Sequence, residues 1–304
     1  MPISLIRCEV VMIKGLILKG IGGFYYIDTE NGVYECKARG VFRKNGITPT
    51  VGDFVTIKIV DEENKKGNLE EILERRNILI RPAISNVDNF VIVASVISPP
   101  FDTFFVDKLI VICEYSNIRP VILINKTDLK YDDVFGKIYE NIGYDVVYTS
   151  KDSDISKIYD VISGGINVFS GFSGVGKSTL LNNLIGDIEL ETGEVSKLTR
   201  GRHTTRHSEL FKINENTYLA DTPGFSSLDI NFKIEDLGWY FKEFREYSCK
   251  FTGCTHTKEK GCGVLEALEN GKINPSRHKS YMQIHEATKE IKHWMRAVSA
   301  SNPH

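Results

Sequence analysis

The chain has 304 residues, of which 41% are hydrophobic and 26% are charged, and its formal net charge is −2. This describes an ordinary soluble protein with room for two or three domains. No apolar run approaches the ~20 residues that a membrane helix needs, and the first residues lack the apolar core of a signal peptide, so we expect a cytoplasmic protein without a membrane partner.

Positive charge exceeds negative charge in the two flanks of the chain. Residues 1–60 contain 8 Lys and Arg against 5 Asp and Glu, and residues 232–304 contain 12 against 9. A polyanion would therefore meet the flanks first. The overall balance does not indicate DNA binding, and no segment demands self-association, so we expect a monomer without a DNA partner.

Residues from about 11 to 80 predict a small barrel. Short β-prone runs alternate with glycine turns, and Asn31-Gly32 is a strong hairpin signal. About five strands fit a closed barrel of the OB type, so we assign residues 1–80 to an RNA-binding barrel domain. Its candidate contacts are Tyr25, Tyr26, Arg39, Arg43 and Lys44. Residue by residue we favour the simpler interpretation of core aromatics and solvated charges, because alternation cannot fix which face is inside.

Strands alternate with helices from residue 81 to residue 231, after a predicted linker at 75–82. The predicted strands lie at 90–96, 120–124, 144–148 and 166–170, and the helices at 104–115 and 132–142. This alternation predicts a parallel sheet with helices on both faces. Ligands of such sheets bind beyond the carboxyl ends of the strands.

A phosphate-binding loop follows the strand at 166–170. The motif G-x-x-x-x-G-K-[ST] is met by Gly171, Phe172, Ser173, Gly174, Val175, Gly176, Lys177, Ser178 and Thr179. Its glycines let backbone N–H groups converge on phosphate oxygens, and the next helix adds the positive end of its dipole. We expect Lys177 to reach the β- and γ-phosphates and the Ser178 hydroxyl to bind Mg²⁺. The alternative is a glycine-rich turn that binds nothing, which the strand–loop–helix context disfavours.

The motif Asn125-Lys126-Thr127-Asp128 comes directly after the strand at 120–124. The Asp128 carboxylate can accept two hydrogen bonds from guanine, through N1–H and N2–H₂, and adenine lacks that pair of donors. We expect Asn125 to contact the other edge of the base and tie down the loop, and the Lys126 stem to lie over the ring. The motif predicts GTP and GDP as ligands.

Two later segments complete a nucleotide site. The stretch from Asp187 to Ser208 has little apolar content, as expected of a mobile switch. Strands at 209–213 and 217–220 follow, and the second ends in Asp221-Thr222-Pro223-Gly224. We expect Asp221 to act on Mg²⁺ through water, and Gly224 to donate its N–H group to the γ-phosphate.

The order of these motifs predicts a circular permutation. Common GTPases present the phosphate loop first, then D-x-x-G, then N-K-x-D, whereas N-K-T-D comes first here. The same sheet can form with the chain cut at a different loop, because its contacts do not depend on where the ends lie.

The segment 232–304 predicts a helical zinc-binding domain. Cys249, Cys254, His256 and Cys262 supply three thiolates and one imidazole, which form a closed tetrahedral set for one structural Zn²⁺. Helices are predicted at 264–270 and from Pro275 to about Val298. A modest basic surface, predicted to be solvated, is formed by Arg277, His278 and Lys279. The predicted fold class is therefore α/β, a circularly permuted P-loop GTPase domain between an OB-type barrel and a helical zinc-binding domain.

With these motifs in this order, the chain resembles the ribosome small-subunit-dependent GTPase A family over nearly its whole length. The motifs are N-K-T-D, G-F-S-G-V-G-K-S-T, G-R-H-T-T, D-T-P-G and C-x4-C-x-H-x5-C. The resemblance implies a GTPase that binds the 30S ribosomal subunit and its 16S rRNA, assists late maturation, and hydrolyses GTP fast only when bound there.

The resemblance also implies catalytic roles. Thr204 or Thr205 should supply a Mg²⁺ ligand, and Thr205 is preferred. Phe225 stands where many GTPases place a water-orienting glutamine, so His203 becomes the candidate that positions the attacking water, beside Lys177 on the phosphates.

Three other functions compete with this prediction. A permuted GTPase of the 50S subunit is disfavoured by the barrel and the cysteine cluster. An RNA-binding scaffold gated by GTP, with incidental turnover, would show no stimulation by 30S subunits. An ATP-using P-loop enzyme is disfavoured by Asp128.

Overall fold

The computed structural model of the protein describes residues 12–44, 46–80, 82–151, 156–192, 208–221 and 232–300. Its first elements are β1 (Met12–Ile21), β2 (Phe24–Thr29), β3 (Gly32–Ala38), the short helix α1 (Gly40–Lys44), β4 (Phe54–Asp61) and β5 (Lys66–Ile72). The five strands form a closed barrel in the order β1-β2-β3-β5-β4. Strands β3 and β5 are parallel, and the other neighbours are antiparallel. The predicted five-stranded barrel is confirmed.

The core of the barrel contains one tyrosine that the sequence did not single out. Tyr34 is fully buried among aliphatic side chains, whereas Tyr25 and Tyr26 are only partly buried. Arg39 pairs with Glu70 at 2.6 Å. Neither an all-core nor an all-surface interpretation of the aromatic residues is therefore correct, and the RNA contacts of the barrel stay a prediction.

The linker predicted at 75–82 is wrong. Strand β6 (Ile78–Ile80) pairs with β7 (Ala83–Ser85) as an antiparallel hairpin. Arg75 donates from Nε and Nη2 to the carboxylate of Asp53, at 2.7 and 2.8 Å, and the Asp53 side chain is fully buried. The charges in this stretch resemble those of a solvated linker, but Arg75 is needed to neutralise a buried carboxylate.

The remaining strands form a six-stranded sheet. The elements in chain order are β8 (Val87–Ser95), α2 (Thr103–Ser116), β9 (Arg119–Asn125), α3 (Val134–Glu140), β10 (Asp145–Tyr148), α4 (Ser156–Ile162), β11 (Gly165–Ser170), α5 (Lys177–Thr192), β12 (Glu209–Asn214) and β13 (Thr217–Asp221). The strand order is β10-β9-β8-β11-β13-β12. Strands β8, β9 and β11 are buried almost without interruption, as expected where both faces of a sheet are covered.

The sheet is mixed and not wholly parallel. Strand β12 runs antiparallel to β13, whereas β10–β9, β8–β9 and β11–β13 are parallel pairs. Only residues 215–216 connect β12 to β13, and a connection that short can join only antiparallel strands.

The chain divides into two compact units. One contains residues 1–88, 162–169 and 185–227, and the other contains residues 89–161, 170–184 and 228–304. The barrel and the β12–β13 hairpin belong to the first unit, and both motif loops and the C-terminal segment belong to the second. The three domains expected at 1–80, 81–231 and 232–304 stay a prediction.

The C-terminal segment packs on α2. It consists of two 3₁₀ helices (Ile234–Tyr240 and Lys242–Glu246), α6 (Gly263–Glu269) and α7 (Pro275–Ala300). Its aromatic and aliphatic side chains share one buried cluster with Val111 of α2. Among the described residues, no helix has the length and apolar character needed to span a membrane.

Arg277 is buried, so its predicted place on a solvated basic surface is wrong. Its Nη1 donates to Asp107 of α2 at 2.6 Å, and its Nε and Nη2 donate to Glu243 at 2.7 and 3.0 Å. Tyr139 of α3 donates its hydroxyl to the same Asp107 oxygen at 3.0 Å. Burial alone would lower the pKa of Arg277, but the facing carboxylates hold it well above its ordinary value. One guanidinium group therefore joins α7 to α2 and to the second 3₁₀ helix.

Replacing Arg277 by methionine should destabilise the protein by about 3–5 kcal/mol, because the Asp107 and Glu243 carboxylates lose their buried partner. Chemical denaturation measures this change. The matched control is Arg119→Met, since the Arg119–Asp145 pair is about half exposed and its loss should cost at most about 1 kcal/mol. Equal effects of the two substitutions would contradict the assignment.

Candidate nucleotide site and metal centre

The phosphate loop lies between the end of β11 and the start of α5. Strand β11 ends at Ser170 and the helix begins at Lys177. Gly174 and Gly176 have φ angles of 85° and 95°, a backbone conformation that side chains rarely adopt. Since the first N–H groups of a helix have no partner within it, this turn can present several donors to an anion.

Close approach of other groups also requires glycine in this loop. A Cβ atom on Gly171 would lie 2.3 Å from the carbonyl oxygen of Val93 in β8. A Cβ atom on Gly176 would lie 2.4 Å from the side-chain nitrogen of Asn125. The two glycines therefore let the loop pack against the ends of neighbouring strands.

Asn125 joins the base-recognition motif to the phosphate loop. Its Nδ2 donates to the carbonyl oxygen of Val175 at 2.9 Å, and its Oδ1 accepts from the Thr149 hydroxyl at 2.9 Å. Both side chains are buried. The predicted tie of the loop by Asn125 is thus present in the structure, although its contact with the base stays a prediction.

Lys126 provides a second link between the same loops. Its Nζ donates to the carbonyl oxygens of Gly174 at 2.5 Å and Ser98 at 2.6 Å. The residue has a φ angle of 64°, which turns the chain directly after β9. The Lys126 side chain consequently bridges the two motif loops, and the position of its stem over a base stays a prediction.

The turn after Lys126 presents Asp128 to solvent. Thr127 donates its N–H and its hydroxyl to the carbonyl oxygen of Thr149, at 3.1 and 3.0 Å, and Leu129 N–H donates to the Lys126 carbonyl at 3.1 Å. The Asp128 side chain is exposed, and within the described part of the chain no donor is hydrogen-bonded to it. A carboxylate held by a rigid turn with its oxygens available can accept the paired N–H groups of guanine.

The polar side chains of the phosphate loop lie at its surface. Ser173, Ser178 and Thr179 are exposed, and Lys177 is half-buried at the first position of α5. A hydroxyl group at the start of this helix is a suitable ligand for Mg²⁺, because Mg²⁺ prefers hard oxygen donors. Asp221 ends β13 opposite Glu209. His203, Thr204, Thr205 and Gly224 lie outside the described residues.

Sequence reasoning missed an aromatic support of the phosphate loop. The ring of Phe172, at a variable position of the motif, stacks on Phe105 of α2 with the centroids 4.0 Å apart. Motif spacing contains no signal for this contact, because only the fold brings α2 beside the loop.

The four predicted metal ligands converge. The ligand atoms of Cys249, Cys254, His256 and Cys262 all lie within 4.8 Å of one another. The Cys249 and Cys262 sulfurs are 3.7 Å apart, and His256 Nδ1 lies 3.5 and 3.4 Å from them. Tetrahedral Zn²⁺, with bonds of about 2.3 Å to sulfur and about 2.0–2.1 Å to nitrogen, would separate its ligands by about 3.5–3.8 Å. The distances among Cys249, Cys262 and His256 fit such a metal bound through Nδ1 of the histidine, and the Cys254 sulfur lies within 4.8 Å of the other three ligand atoms.

Neighbouring groups orient the histidine loop of this metal centre. His256 has a φ angle of 54°, and a Cβ atom on Gly238 would lie 2.9 Å from the His256 ring. His278 Nε2–H donates to the His256 carbonyl at 2.9 Å, and the Tyr281 hydroxyl donates to the Thr255 carbonyl at 2.6 Å. His278, predicted to be a solvated surface residue, therefore supports the metal centre.

Glu259 closes the same loop. Its carboxylate accepts hydrogen bonds from the Thr255 hydroxyl and from the backbone N–H groups of Thr255, Thr257 and Lys258. Partial burial works against ionisation, but these donors hold the pKa of Glu259 below its usual range. The ionised carboxylate thus fixes the backbone between two of the metal ligands.

Two family models match the chain. The model described as RsgA GTPase matches residues 72–231, and the model described as RsgA N-terminal domain matches residues 14–68. Curated relatives named small ribosomal subunit biogenesis GTPase RsgA match over most of their length. The Ruminiclostridium cellulolyticum protein is 46% identical over 91% of this chain and 94% of its own length. The Alkaliphilus metalliredigens protein is 45% identical over 90% and 97%.

Solved structures give the same fold. YloQ, described as a circularly permuted GTPase, superposes with a TM-score of 0.79 at 39% identity, covering 93% of this chain and 97% of its own. YjeQ from Thermotoga maritima gives 0.78 at 34% identity, covering 91% and 98%. The circular permutation predicted from the order of the motifs is confirmed.

Gly176→Ala should weaken nucleotide binding at least about tenfold, because the added methyl group clashes with Asn125 and is strained at this φ angle. Titration with a fluorescent guanine nucleotide measures the affinity. Gly186→Ala is the matched control, since a Cβ atom there meets nothing within 4 Å and Gly186 lies inside α5. An unchanged affinity in Gly176→Ala would show that nucleotide binding does not require the close contact between Gly176 and Asn125.

Proposed function

Because this chain belongs to the RsgA GTPase family, we propose that it hydrolyses GTP on the 30S ribosomal subunit, bound to 16S rRNA, during late maturation of that subunit. The relatives named small ribosomal subunit biogenesis GTPase RsgA support the choice of partner. The observation that carries the nucleotide assignment is the pair of bonds from Asn125 and Lys126 to the carbonyl oxygens of the phosphate loop. These bonds bring Asn125 and Lys126 into contact with the phosphate loop, which supports a single site for the base and the phosphates.

Guanine recognition depends on Asp128. Its exposed carboxylate is proposed to accept the N1–H and N2–H₂ groups, while the Lys126 stem covers the face of the ring. An adenine base would present no donor pair and would leave the carboxylate unpaired, so ATP is discriminated against.

Phosphate binding uses the loop from Gly171 to Thr179. Its backbone N–H groups and Lys177 are proposed to bind the β- and γ-phosphates, with Ser178 as a ligand of Mg²⁺. Thr205 and Asp221 would complete the cation's protein contacts, and Gly224 would donate an N–H group to the γ-phosphate. Mg²⁺ held by these residues would supply positive charge to neutralise the negative charge that develops on the β- and γ-phosphate oxygens.

Hydrolysis transfers the γ-phosphoryl group of GTP to water and releases GDP and inorganic phosphate. His203 is proposed to orient the attacking water, since Phe225 offers no polar atom at the position after Gly224. We propose that contact with the ribosome orders this segment, so that basal turnover is slow and the bound rate is fast.

The metal centre is proposed to hold one structural Zn²⁺. All four ligand positions would be filled by Cys249, Cys254, His256 and Cys262, so no position remains for water and no catalytic role follows. The domains at 1–80 and 232–304 are proposed to contact RNA, and the protein is proposed to act as a cytoplasmic monomer. The RNA contacts follow from the ribosomal partner and from the charge of the flanks, and the monomer follows from the sequence, in which no segment demands self-association.

Multiple-turnover GTP hydrolysis with added 30S subunits tests the proposal. We expect the rate to rise strongly with 30S subunits and little with 50S subunits or with ATP as substrate. A rate that is unchanged by 30S subunits would favour a GTP-gated scaffold. Stimulation by 50S subunits alone would identify the 50S subunit as the partner.

Asp128→Asn should lower the affinity for GTP at least about tenfold, since an amide offers one acceptor and one donor where guanine presents two donors. The same amide matches the N1–H and C2=O groups of xanthine, so binding of xanthosine triphosphate should improve. Equilibrium titration with both nucleotides measures the exchange. Retained preference for GTP would place base recognition elsewhere.

Metal analysis of the purified protein should give one equivalent of zinc per chain. Cys254→Ser should lose most of it and destabilise the C-terminal segment, because a serine hydroxyl is a poor zinc ligand. Cys36→Ala is the control, since Cys36 is buried in the barrel core. A metal content that is unaffected by Cys254→Ser would remove this residue from the ligand set.

A further inference from the structure

The hairpin of β12 and β13 occupies a special place in the chain. Glu209, its first residue, follows Thr205 by four positions, and Asp221, its last residue, begins the D-T-P-G motif. Glu209 and Asp221 are directly opposite each other in the strand register. Both ends of this rigid element therefore lead into segments that are proposed to bind Mg²⁺ and the γ-phosphate.

The barrel is tied to the first residue of this hairpin by an ion pair. Lys19 of β1 donates from Nζ to the Glu209 carboxylate at 2.9 Å. The two side chains are only 21% and 27% exposed, so water screens the pair less than it screens the barrel's Arg39–Glu70 pair, in which Arg39 is 57% exposed.

A second tie lies farther along the hairpin. Asp28 of β2 accepts from Lys212 Nζ at 2.7 Å and from the Tyr218 hydroxyl at 2.8 Å, and its side chain is 8% exposed. Lys212 and Tyr218 are opposite each other on β12 and β13. One buried carboxylate thus binds both strands of the hairpin, and charge-assisted bonds of this kind are stronger than neutral ones.

We propose that Lys19 and Asp28 are positioning residues for the GTPase centre, which fasten the barrel to the hairpin so that the two move as one body. The identity of the nucleotide rests on the proposed function. A change at Asp221 or near Thr205 when the γ-phosphate is lost must then reach β1 and β2. By reciprocity, a ligand that binds and displaces the barrel shifts the segments that hold Mg²⁺.

Two separate ties make this coupling specific. A single point of attachment would act as a pivot, whereas contacts at Glu209 and at the Lys212–Tyr218 pair fix the orientation of the hairpin against β1 and β2. Neither Lys19 nor Asp28 belongs to a nucleotide-binding motif, so motif reasoning does not identify them.

Hydrogen exchange of residues 12–29 tests the proposal, in GTP analogue and in GDP and without ribosomes. In the unmodified protein we expect exchange in this region to be about fivefold slower with the GTP analogue. Lys19→Glu and Glu209→Lys should each reduce the difference below about twofold. The double variant, which restores the ion pair with reversed charges, should recover most of it.

Conservative variants test the buried contact of Asp28 with the hairpin, and they are less disruptive to folding than charge reversals. Asp28→Asn and Tyr218→Phe keep the side-chain shapes, and both should reduce the nucleotide-dependent difference. The matched control is Arg39→Glu with Glu70→Arg, a charge swap within the barrel that should leave the difference intact. Circular dichroism verifies the fold of each variant.

The proposal is overturned if the barrel exchanges at the same rate in both nucleotides, or if the single charge reversals keep the full difference. It is also overturned if the double variant fails to recover it. Because no ribosomal subunit is present, these outcomes are independent of whether 30S subunits stimulate hydrolysis, so the failure of one proposal is distinguishable from the failure of the other.

Discussion

The proposed nucleotide site depends on side-chain hydrogen bonds from the end of β9 to the backbone of the phosphate loop. Asn125 and Lys126 bind the carbonyl oxygens of Val175 and Gly174, at 2.9 and 2.5 Å. These two loops are separated by about fifty residues in sequence, yet a guanine nucleotide must bind both at once. A buried amide with both ends bonded is costly to displace, so Asn125 fixes the distance between the two loops that are proposed to bind the base and the phosphates. Gly176 is required because any side chain there would occupy the space of the Asn125 amide.

The second structural constraint is the burial of charged groups where distant parts of the chain pack together. Arg277 neutralises Asp107 and Glu243, Arg75 neutralises Asp53, and Lys212 pairs with Asp28. In each case a carboxylate that is nearly or fully inaccessible to water has a basic partner from a different part of the chain, as burial of charge demands. The two arginines fix relative orientation as well as contact, because the hydrogen bonds of a guanidinium group are directional. Arg277 thereby holds α2 against α7, and Asp28 holds the β12–β13 hairpin against β2.

Because the chain is circularly permuted, the ion pairs between the barrel and the β12–β13 hairpin have a proposed role in function. The β12–β13 hairpin, which leads into D-T-P-G, lies late in the chain. It belongs to the same compact unit as the barrel, which lies at the start of the chain. A ligand bound to the barrel can influence the segments proposed to bind Mg²⁺ only if their positions are coupled, and the ion pairs of Lys19 and Asp28 are a physical means of coupling them. The metal centre serves a different end. Its four ligands lie in a segment that also has a buried hydrophobic cluster, and Glu259, His278 and Tyr281 hold the loops that carry the ligands.

Sequence alone determined the chemistry of this protein, because phosphate, guanine and metal recognition each need particular residue types at fixed short spacing. The motifs around Lys177, Asp128 and Cys254 could therefore be identified, along with the barrel, the alternating strands and the permuted order. Only the tertiary structure decided what depends on neighbours distant in the chain. It placed Arg277 in the interior, stacked Phe105 on Phe172, and made β12 antiparallel. It also joined Lys19 to Glu209. A charged residue has the same pattern in sequence whether it meets water or a buried carboxylate, and the fold alone supplies the partner that distinguishes them.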